Sequence, residues 1–311
     1  MATQHIIFGT GPLGQSVMRA LRKRQDVQVT MVNRSGKRTG IPDDVQVITG
    51  DAYDEAKVRD ITKDADVVYQ CAQPAYNKWA EQFPPLQTAI LNGVSANHAK
   101  LVVGENLYMY GDTNGQVITV NLPYRPHGTK GTVRATMTDE LLSAHQAGKV
   151  RVAIARGSDF YGEGVRESLM GERVFEFMLE GKPASVFGKI DLPHTQTYIS
   201  DFGEAMAILG ERDEALGRAW HVPNAEPKIT MRQFIERIAQ AMGIEARVSV
   251  MPKIMFETIS LFHPMLREFR ELRYELEKPY VVDSSEFIAR FGDISTPIDE
   301  GIRNTVAWYR D

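Results

Sequence analysis

The stretch "HIIFGTGPLG" (residues 5–14) places a glycine-rich turn between an apolar run and a helical pattern. Gly9, Gly11 and Gly14 stand in G-x-G-x-x-G spacing. Between a strand and a helix, the first glycine allows a tight turn, the second lets the backbone approach a pyrophosphate, and the third lets helix and strand pack closely. The helix N-terminus then faces the phosphate charge. The stretch therefore predicts a dinucleotide site rather than a plain strand-to-helix turn. Its expected contacts are Gly9, Thr10, Gly11, Pro12, Leu13 and Gly14.

The residues that follow this turn predict the fold class. Short β-branched runs alternate with helical patterns through the first half, which indicates an α/β fold with a doubly wound parallel sheet of the Rossmann type. The predicted strands are 5–9, 27–33, 45–50, 66–72, 100–106 and 150–156. The predicted helices are about 12–24, 54–63, 79–97 and 132–147, the last ending at Gly148, where a left-handed cap is cheap for glycine.

Beyond about residue 160 the pattern changes to longer helical stretches with short strands. We therefore expect a dinucleotide-binding domain over residues 1–160, to which 195–225 returns. A smaller α+β substrate lobe is expected over 161–311.

Local signals in this lobe predict three further features. Ser200 or Asp201 is expected to cap the helix after "TY", and Thr230 to cap the next one. The segment 253–277 carries an apolar stripe broken by Pro264. This stripe is either part of the lobe's core or a lid over a pocket.

Composition limits the classes of function. The 311 residues carry a net charge of −4, which gives no reason to expect a nucleic-acid partner. No apolar run approaches the ~20 residues that a membrane-spanning helix needs. One cysteine, Cys71, and seven histidines without helical pairing predict neither a disulfide framework nor a structural metal. We expect a soluble cytoplasmic protein with no membrane partner.

The end of the second predicted strand bears on the choice of cofactor. An acidic residue there would bond the ribose hydroxyls of NAD, whereas an arginine accommodates the 2′-phosphate of NADP. This chain has Asn33 and Arg34, followed by Ser35, Lys37 and Arg38. A guanidinium is a strong phosphate partner, so the pattern favours NADP over NAD. A solvated turn is the alternative.

Nearly the whole chain resembles the extended short-chain dehydrogenase/reductase family, which includes nucleotide-sugar epimerases and dehydratases. The resemblance rests on "GTGPLG", "VNRS", "GDAYD", "MYGD", "ARGSDFYGEGV", "YISDFGEAM" and "GIRNTVAWYR", in that order. It implies that Asp51 contacts the adenine of the cofactor, with Ala52 beside it and Ala72 at the end of the fourth predicted strand as further cofactor contacts.

The expected catalytic set departs from the family pattern. Where the family has Ser or Thr before the "YG" pair, this chain has Asn106, and the tyrosine of the Tyr-x-x-x-Lys pair is replaced by Pro126. The resemblance implies that Lys130 reaches the nicotinamide ribose. Tyr108 is the substitute phenol, with Asn106 holding the substrate oxygen, although Tyr108 could equally be a packing aromatic beside Tyr110.

Two classes of function follow from this pattern. The first is an NADP(H)-dependent oxidoreductase or epimerase/dehydratase-like enzyme acting on a small carbonyl or hydroxyl compound. The second is a non-catalytic NADP(H)-binding sensor or regulatory protein. The lobe favours an enzyme because it is rich in candidate pocket residues: Phe160, Tyr161, His194, Tyr198 and Phe256.

Two further expectations concern partners. A nucleotide-sugar substrate would need cationic groups for its diphosphate, and Arg166, Arg173 or Lys189 could provide them, although helix-surface roles explain these residues equally. The resemblance also implies a homodimer formed through the helices at 79–97 and 132–147.

Overall fold

The computed structural model describes residues 2–262 and 268–311 and is organised around a seven-stranded sheet. The strands are β1 (Thr3–Phe8), β2 (Val27–Asn33), β3 (Gln46–Thr49), β4 (Val67–Gln70), β5 (Lys100–Glu105), β6 (Arg151–Arg156), β7 (Asp159–Tyr161), β8 (Ala184–Phe187), β9 (Gln196–Tyr198), β10 (Ala219–His221) and β11 (Val248–Met251). The order in the large sheet is β10-β6-β5-β4-β1-β2-β3. The six predicted strands are all present, and the predicted doubly wound α/β class is confirmed.

The pairing of these strands defines where a ligand can bind. β1 pairs in parallel with β2 on one side and with β4 on the other, so the strand order reverses at β1. The outer pairs β2–β3, β4–β5 and β5–β6 are also parallel. In open sheets of this kind, ligands bind beyond the carboxyl ends of the strands at such a reversal. The glycine-rich turn after β1 lies at this point.

Helices connect the strands and form much of the C-terminal half. They are α1 (Pro12–Leu21), α2 (Glu55–Ile61), α3 (Trp79–Ser95), α4 (Gly128–Gln146), α5 (Phe175–Leu179), α6 (Ile199–Glu211), α7 (Met231–Met242), α8 (Lys253–Ser260), α9 (Tyr274–Glu277), α10 (Ser285–Phe291) and α11 (Ile298–Arg310). Two predicted caps are confirmed. Gly148 has φ +69° just after α4, and the Thr230 side chain forms a capping box with Gln233 at the start of α7.

The chain forms two compact units. The first unit comprises Met1–Glu105, Val133–Arg156 and Phe202–Trp220, and the second comprises Asn106–Thr132, Gly157–Asp201 and His221–Asp311. The first unit holds most of the large sheet, and within it a buried ion pair joins Arg156 to Glu105 at 3.0 Å. The core of the second unit is apolar and includes Phe175, Phe234, Ile238, Ile302 and Val306.

Two local predictions about helix starts were wrong. α6 begins at Ile199, so Ser200 and Asp201 lie inside its first turn and do not cap it. Asp201 instead accepts hydrogen bonds from the backbone N–H of Thr296 at 2.9 Å and from its hydroxyl at 2.6 Å. Because both oxygens of the Asp201 side chain bond to Thr296, this side chain does not cap the start of α6.

α4 begins at Gly128, not at residue 132. The helix begins earlier than predicted because the carboxylate of Glu271 accepts the backbone N–H groups of Thr129 and Lys130, at 2.6 and 3.2 Å. In the segment 253–277, Phe256 and Leu272 are buried while the ring of Phe262 is exposed. The predicted break at Pro264 lies outside the described residues.

Candidate cofactor and acid–base sites

The turn after β1 is closed tightly by two of its three glycines. Gly9 has φ +107°, and a Cβ there would lie 2.7 Å from the backbone nitrogen of Ala72. A Cβ on Gly14 would lie 2.0 Å from the carbonyl oxygen of Gly9. Side chains at these two positions would therefore collide with backbone. The turn and the start of the helix can approach β4 only because both residues are glycine.

Gly11 differs from the other two glycines. Its φ is −73°, and no heavy atom lies within 4 Å of where its Cβ would be. Packing inside the chain therefore does not demand glycine at this position. A ligand that occupied the open space at the N-terminus of α1 would require glycine at this position, because a side chain would fill that space.

The N-terminus of α1 suits an anionic group. Gly11 is the N-cap residue, Pro12 occupies the first turn, and neither a side-chain cap nor an acidic residue fills this end of the helix. The first backbone N–H groups of a helix lack intrahelical acceptors, and the helix dipole adds partial positive charge there. The residues present thus fit the pyrophosphate of a dinucleotide.

Asn33, at the end of β2, organises the next loop. Its Oδ1 accepts the backbone N–H of Ser35 at 3.0 Å and of Gly36 at 2.6 Å. Its Nδ2 donates to the Lys37 carbonyl at 2.8 Å and lies 3.2 Å from the Thr10 hydroxyl. The side chain at the position of the usual acid therefore ties the β2 loop to the glycine turn.

Arg34 is exposed and, among the residues that the structure describes, forms no ion pair. It lies within electrostatic range of Tyr53, whose pKa is raised by burial and by Asp51, with the charge of Arg34 opposing the rise. Asp51 accepts the backbone N–H of Tyr53 at 3.1 Å, and Ala52 is buried beside it. Arg34 and Asp51 therefore both act on the electrostatics of Tyr53.

Lys130 is the one member of the family's Tyr-x-x-x-Lys pair that we expect in this chain. It is buried, with 3% of its surface exposed. Its Nζ forms an ion pair with Glu268 and lies 3.3 Å from Oε1 of Glu271. The neighbouring Gly128, at φ +72°, allows this approach, since a Cβ there would lie 2.1 Å from Oε2 of Glu271. Lys130 is therefore not a surface residue, and its charge is matched by two carboxylates.

The other expected catalytic residues lie near the start of α4. A Cβ on Gly131 would lie 2.8 Å from the carbonyl oxygen of Tyr108 and 3.3 Å from Cβ of Pro126. Asn106 Oδ1 is 3.4 Å from the backbone nitrogen of Tyr108, longer than a good hydrogen bond. Tyr108 is half-buried. The segments carrying Tyr108, Pro126 and Lys130 are thus brought together.

A cavity in the second unit adds two acidic residues, Asp159 and Glu275, that the sequence did not assign to a site. Its lining consists of Tyr108, Asp159, Leu169, Phe187, Phe269, Leu272, Glu275 and Leu276. Asp159 Oδ2 lies 2.6 Å from Nε2 of His194, which is behind the cavity lining and 2% exposed. Tyr108 therefore lines a cavity that also contains carboxyl groups.

Glu275 is the most perturbed acid of this cavity. It is 5% exposed, and burial, reinforced by the charge of Asp159, raises its pKa well above the usual range, with Tyr280 and Tyr274 opposing the rise. Burial of this kind disfavours the charged form of the carboxyl group. In the sequence it stands within an apolar stripe, and no local pattern marked it. Asp159 and His194 are 35 residues apart, so their pairing carried no sequence signal either.

Several other expected pocket residues have packing or surface roles. Tyr161 and Tyr198 belong to the core of the second unit, and Phe256 stacks on Phe187 with ring centres 5.2 Å apart. Arg166 pairs with Glu176 at 2.5 Å, and Arg173 donates to the Ser185 hydroxyl at 3.1 Å.

Within residues 2–262 and 268–311, no group of three or more His, Cys, Asp or Glu side chains is arranged to hold a metal ion. None of the helices in the same part of the chain is long and apolar enough to cross a membrane.

Comparison with known proteins gives a consistent result. The model of the NAD dependent epimerase/dehydratase family matches residues 6–222. No curated protein matches the sequence significantly. Among solved structures, UDP-glucuronic acid 4-epimerase from Bacillus cereus in complex with NAD has a TM-score of 0.79 at 18% identity, with 99% of both chains covered.

Two further solved structures are similar. UDP-N-acetylglucosamine 4-epimerase from Methanobrevibacter ruminantium has a TM-score of 0.82 at 17% identity, covering 99% of this chain and 98% of the other. dTDP-glucose 4,6-dehydratase from Bacillus anthracis in complex with NAD has a TM-score of 0.81 at 17% identity, covering 99% and 97%. At these identities the likeness shows the fold.

Proposed function

Because the chain belongs to the NAD dependent epimerase/dehydratase family, we propose that it is an enzyme that binds a nicotinamide dinucleotide and interconverts a hydroxyl and a carbonyl group on a small substrate. The observation that carries the proposal is the asymmetry of the three glycines. Gly9 and Gly14 are needed for packing, whereas the space in front of Gly11 is open. When bound, the cofactor supplies or accepts the hydride of such a reaction.

NADP(H) is the preferred cofactor in this proposal. Arg34 is exposed at the end of β2 with its charge unmatched among the described residues, as a 2′-phosphate would require, and Asn33 replaces the acid that would bond the ribose of NAD. The similar solved structures that were determined in complex with a dinucleotide contain NAD, which makes cofactor choice the point where this chain should differ from them.

The catalytic roles follow the retained residues. Lys130 is assigned to the nicotinamide ribose, Asn106 to the substrate oxygen, and Tyr108 to proton transfer in place of the absent tyrosine. The proposal for Tyr108 is supported by its place in a cavity with Asp159 and Glu275. A phenol is a competent general acid once a base or cation adjusts its proton affinity.

The substrate is a small carbonyl or hydroxyl compound, and nucleotide sugars fall within this class because the similar structures carry the names of enzymes acting on UDP- and dTDP-linked sugars. Of the three basic residues expected near a diphosphate, Arg166 already has an acidic partner. The dimer through α3 and α4 also stays a proposal.

The deciding experiment combines binding and turnover. Purified protein is titrated with NADPH and NADH, following nicotinamide fluorescence, and then incubated with aldehydes, ketones and UDP- and dTDP-sugars. Oxidation of NADPH is followed by absorbance, and epimerised or dehydrated sugars by mass spectrometry. Saturable binding with turnover of at least one compound is expected, and failure to bind either cofactor would contradict the proposal.

One observation favours a second function, a non-catalytic NADP(H) sensor. Pro126 has no phenol, and the charge of Lys130 is matched inside the chain by Glu268 and Glu271. A sensor would bind the cofactor tightly and turn over no compound of the panel. In the enzyme, exchange of Glu268 and Glu271 for glutamine should alter turnover as well as cofactor binding.

A further inference from the structure

We propose that Asp159 and His194 form the proton reservoir of the Tyr108 cavity, restoring the proton that Tyr108 gives to the substrate. The inference rests on the proposed interconversion of hydroxyl and carbonyl groups. It replaces the usual partner of the catalytic phenol by an imidazole–carboxylate pair. Asp159 lines the same cavity as Tyr108 and bonds to His194 at 2.6 Å.

The proton content of the pair follows from its hydrogen-bond partners. His194 Nε2 lies 2.6 Å from the Asp159 carboxylate, and Nδ1 lies 3.2 Å from the carbonyl oxygen of Glu275. A neutral imidazole offers one donor nitrogen and one acceptor nitrogen. A carbonyl and an ionised carboxylate both only accept. With Asp159 ionised, as the proposal requires, both ring nitrogens of His194 carry protons, and the pair is an imidazolium and a carboxylate.

A second buried histidine, His221, separates the effect of hydrogen-bond partners on the protonation of the ring from the effect of burial. His221 is 2% exposed, as His194 is. Its Nδ1 lies 2.9 Å from the carbonyl oxygen of Asp283, and its Nε2 lies 2.9 Å from the hydroxyl of Tyr110. A hydroxyl can donate, so a neutral His221 satisfies both bonds. The Tyr110 hydroxyl, which also lies 3.3 Å from the carbonyl oxygen of Val120, can donate to His221, whereas an ionised Asp159 cannot donate to His194.

The groups around the pair are compatible with a charged ring. Besides Asp159, the ring of His194 faces Tyr280, stacked on it with ring centres 5.3 Å apart, and the backbone and carboxyl of Glu275, with Tyr274 beside that carboxyl. Within the described residues, no lysine or arginine forms an ion pair with Asp159. The imidazolium therefore has a carboxylate as its charged neighbour and meets no cation at contact distance.

The step balances with the residues present. When bound, the reduced cofactor would supply a hydride to the carbonyl carbon of the substrate, and the carbonyl oxygen, with the π electrons it gains, would take the phenol proton of Tyr108. The phenolate then takes a proton through Asp159, and His194 is left neutral. In the oxidising direction the same proton returns to His194. Asp159 and His194 are positioning and proton-supplying residues, since neither needs to touch the reacting carbon.

The first test requires no variant. Full-length protein with ¹⁵N-labelled histidine is saturated with NADPH, and ring nitrogen shifts are recorded by NMR as pH rises from about 6 to 9, a range starting near the ordinary histidine pKa of ~6.5. We expect both nitrogens of His194 to be protonated at pH 7 and His221 to be neutral. A neutral His194 ring at pH 7 would overturn the inference.

The second test uses kinetics on a compound that the substrate screen identifies. Asp159→Asn and His194→Gln should lower kcat by about 10² to 10⁴, the range for lost acid–base catalysis, leave cofactor affinity within a few-fold, and move the alkaline limb of the pH profile. His221→Gln is the matched control and should keep both kcat and the profile. Unchanged kcat and pH profile in Asp159→Asn would overturn the inference alone, whereas absence of turnover by the parent protein would overturn the proposed function with it.

Discussion

The glycine-rich turn of the first unit and the cavity of the second unit that Tyr108 lines are assembled in opposite ways. The turn is formed by consecutive residues, Gly9 to Gly14, between one strand and one helix. The cavity draws Tyr108, Asp159 and Glu275 from three distant parts of the chain, with His194 behind them. The turn needs residues without side chains, whereas the cavity depends on what its side chains can donate and accept.

This difference explains why the glycine turn could be predicted from the sequence and the cavity could not. A binding site for phosphate can be made from backbone N–H groups and a helix dipole, so its sequence pattern is short. Acid–base chemistry depends on burial and charge partners, which only the folded chain provides. Four sets of substitutions test these assignments, from the largest expected effect to the smallest.

Gly11→Val should abolish binding of NADPH and NADH, a loss of at least about 100-fold or roughly 3 kcal/mol, because the side chain would fill the space in front of the turn. Isothermal calorimetry measures the affinity. The fold should survive, since φ is −73° and no atom lies within 4 Å of the added Cβ. The contrasting Gly14→Ala should lower thermal stability, because its Cβ meets the Gly9 carbonyl. Binding within a few-fold of the parent in Gly11→Val would show that the glycines form only a turn.

Tyr108→Phe should lower kcat by about 10² to 10⁴ and spare cofactor binding, because it removes the proton donor of the cavity but leaves the ring. Lys130→Met should weaken both cofactor binding and turnover, since the ammonium is assigned to the nicotinamide ribose. Steady-state kinetics with the best compound of the screen, together with calorimetry, separate the two patterns. A parent-like kcat in Tyr108→Phe would remove that residue from the mechanism.

Arg34→Ala should weaken NADPH binding by about 1.5 to 3 kcal/mol and leave NADH nearly unchanged, because one charge-assisted hydrogen bond is lost. Fluorescence titration with both cofactors gives the ratio of affinities. Arg22→Ala is a suitable control, since Arg22 is also a surface arginine of the first unit and pairs with Asp44 at 2.7 Å. Equal affinities for the two cofactors in the parent protein would refute the NADP assignment.

Asp201→Asn should change how stability depends on pH. Burial raises the pKa of Asp201 to about 6, from 3.8, although Thr296 opposes the shift. A carboxyl whose folded pKa is raised contributes stability below its unfolded pKa, and the contribution is lost as pH rises through about 6. The free energy of unfolding of the parent should therefore fall, relative to Asp201→Asn, by roughly 2 kcal/mol between pH 4 and pH 7. Parallel curves from urea unfolding would contradict this environment for Asp201.

Much of the fold could be predicted because its signals are periodic and local. The six β-branched runs of the first half are the six parallel strands, and the caps at Gly148 and Thr230 formed as their residue types require. The helix starts at Gly128 and Ile199 could not be predicted in the same way. Glu271 and Thr296, both distant in sequence, provide hydrogen bonds there that compete with the local signals.

By itself, the sequence determined the alternation of strands and helices, the glycine turn after the first strand, and the presence of Pro126 four residues before Lys130. Each of these depends on backbone geometry or on the identity of a single residue. Only the tertiary structure decided that Lys130 lies against Glu268 and Glu271, and that Tyr108 shares a cavity with Asp159 and Glu275. The reason is physical: the protonation state of a side chain is set by the groups around it in space, and the chain order does not encode which groups those are.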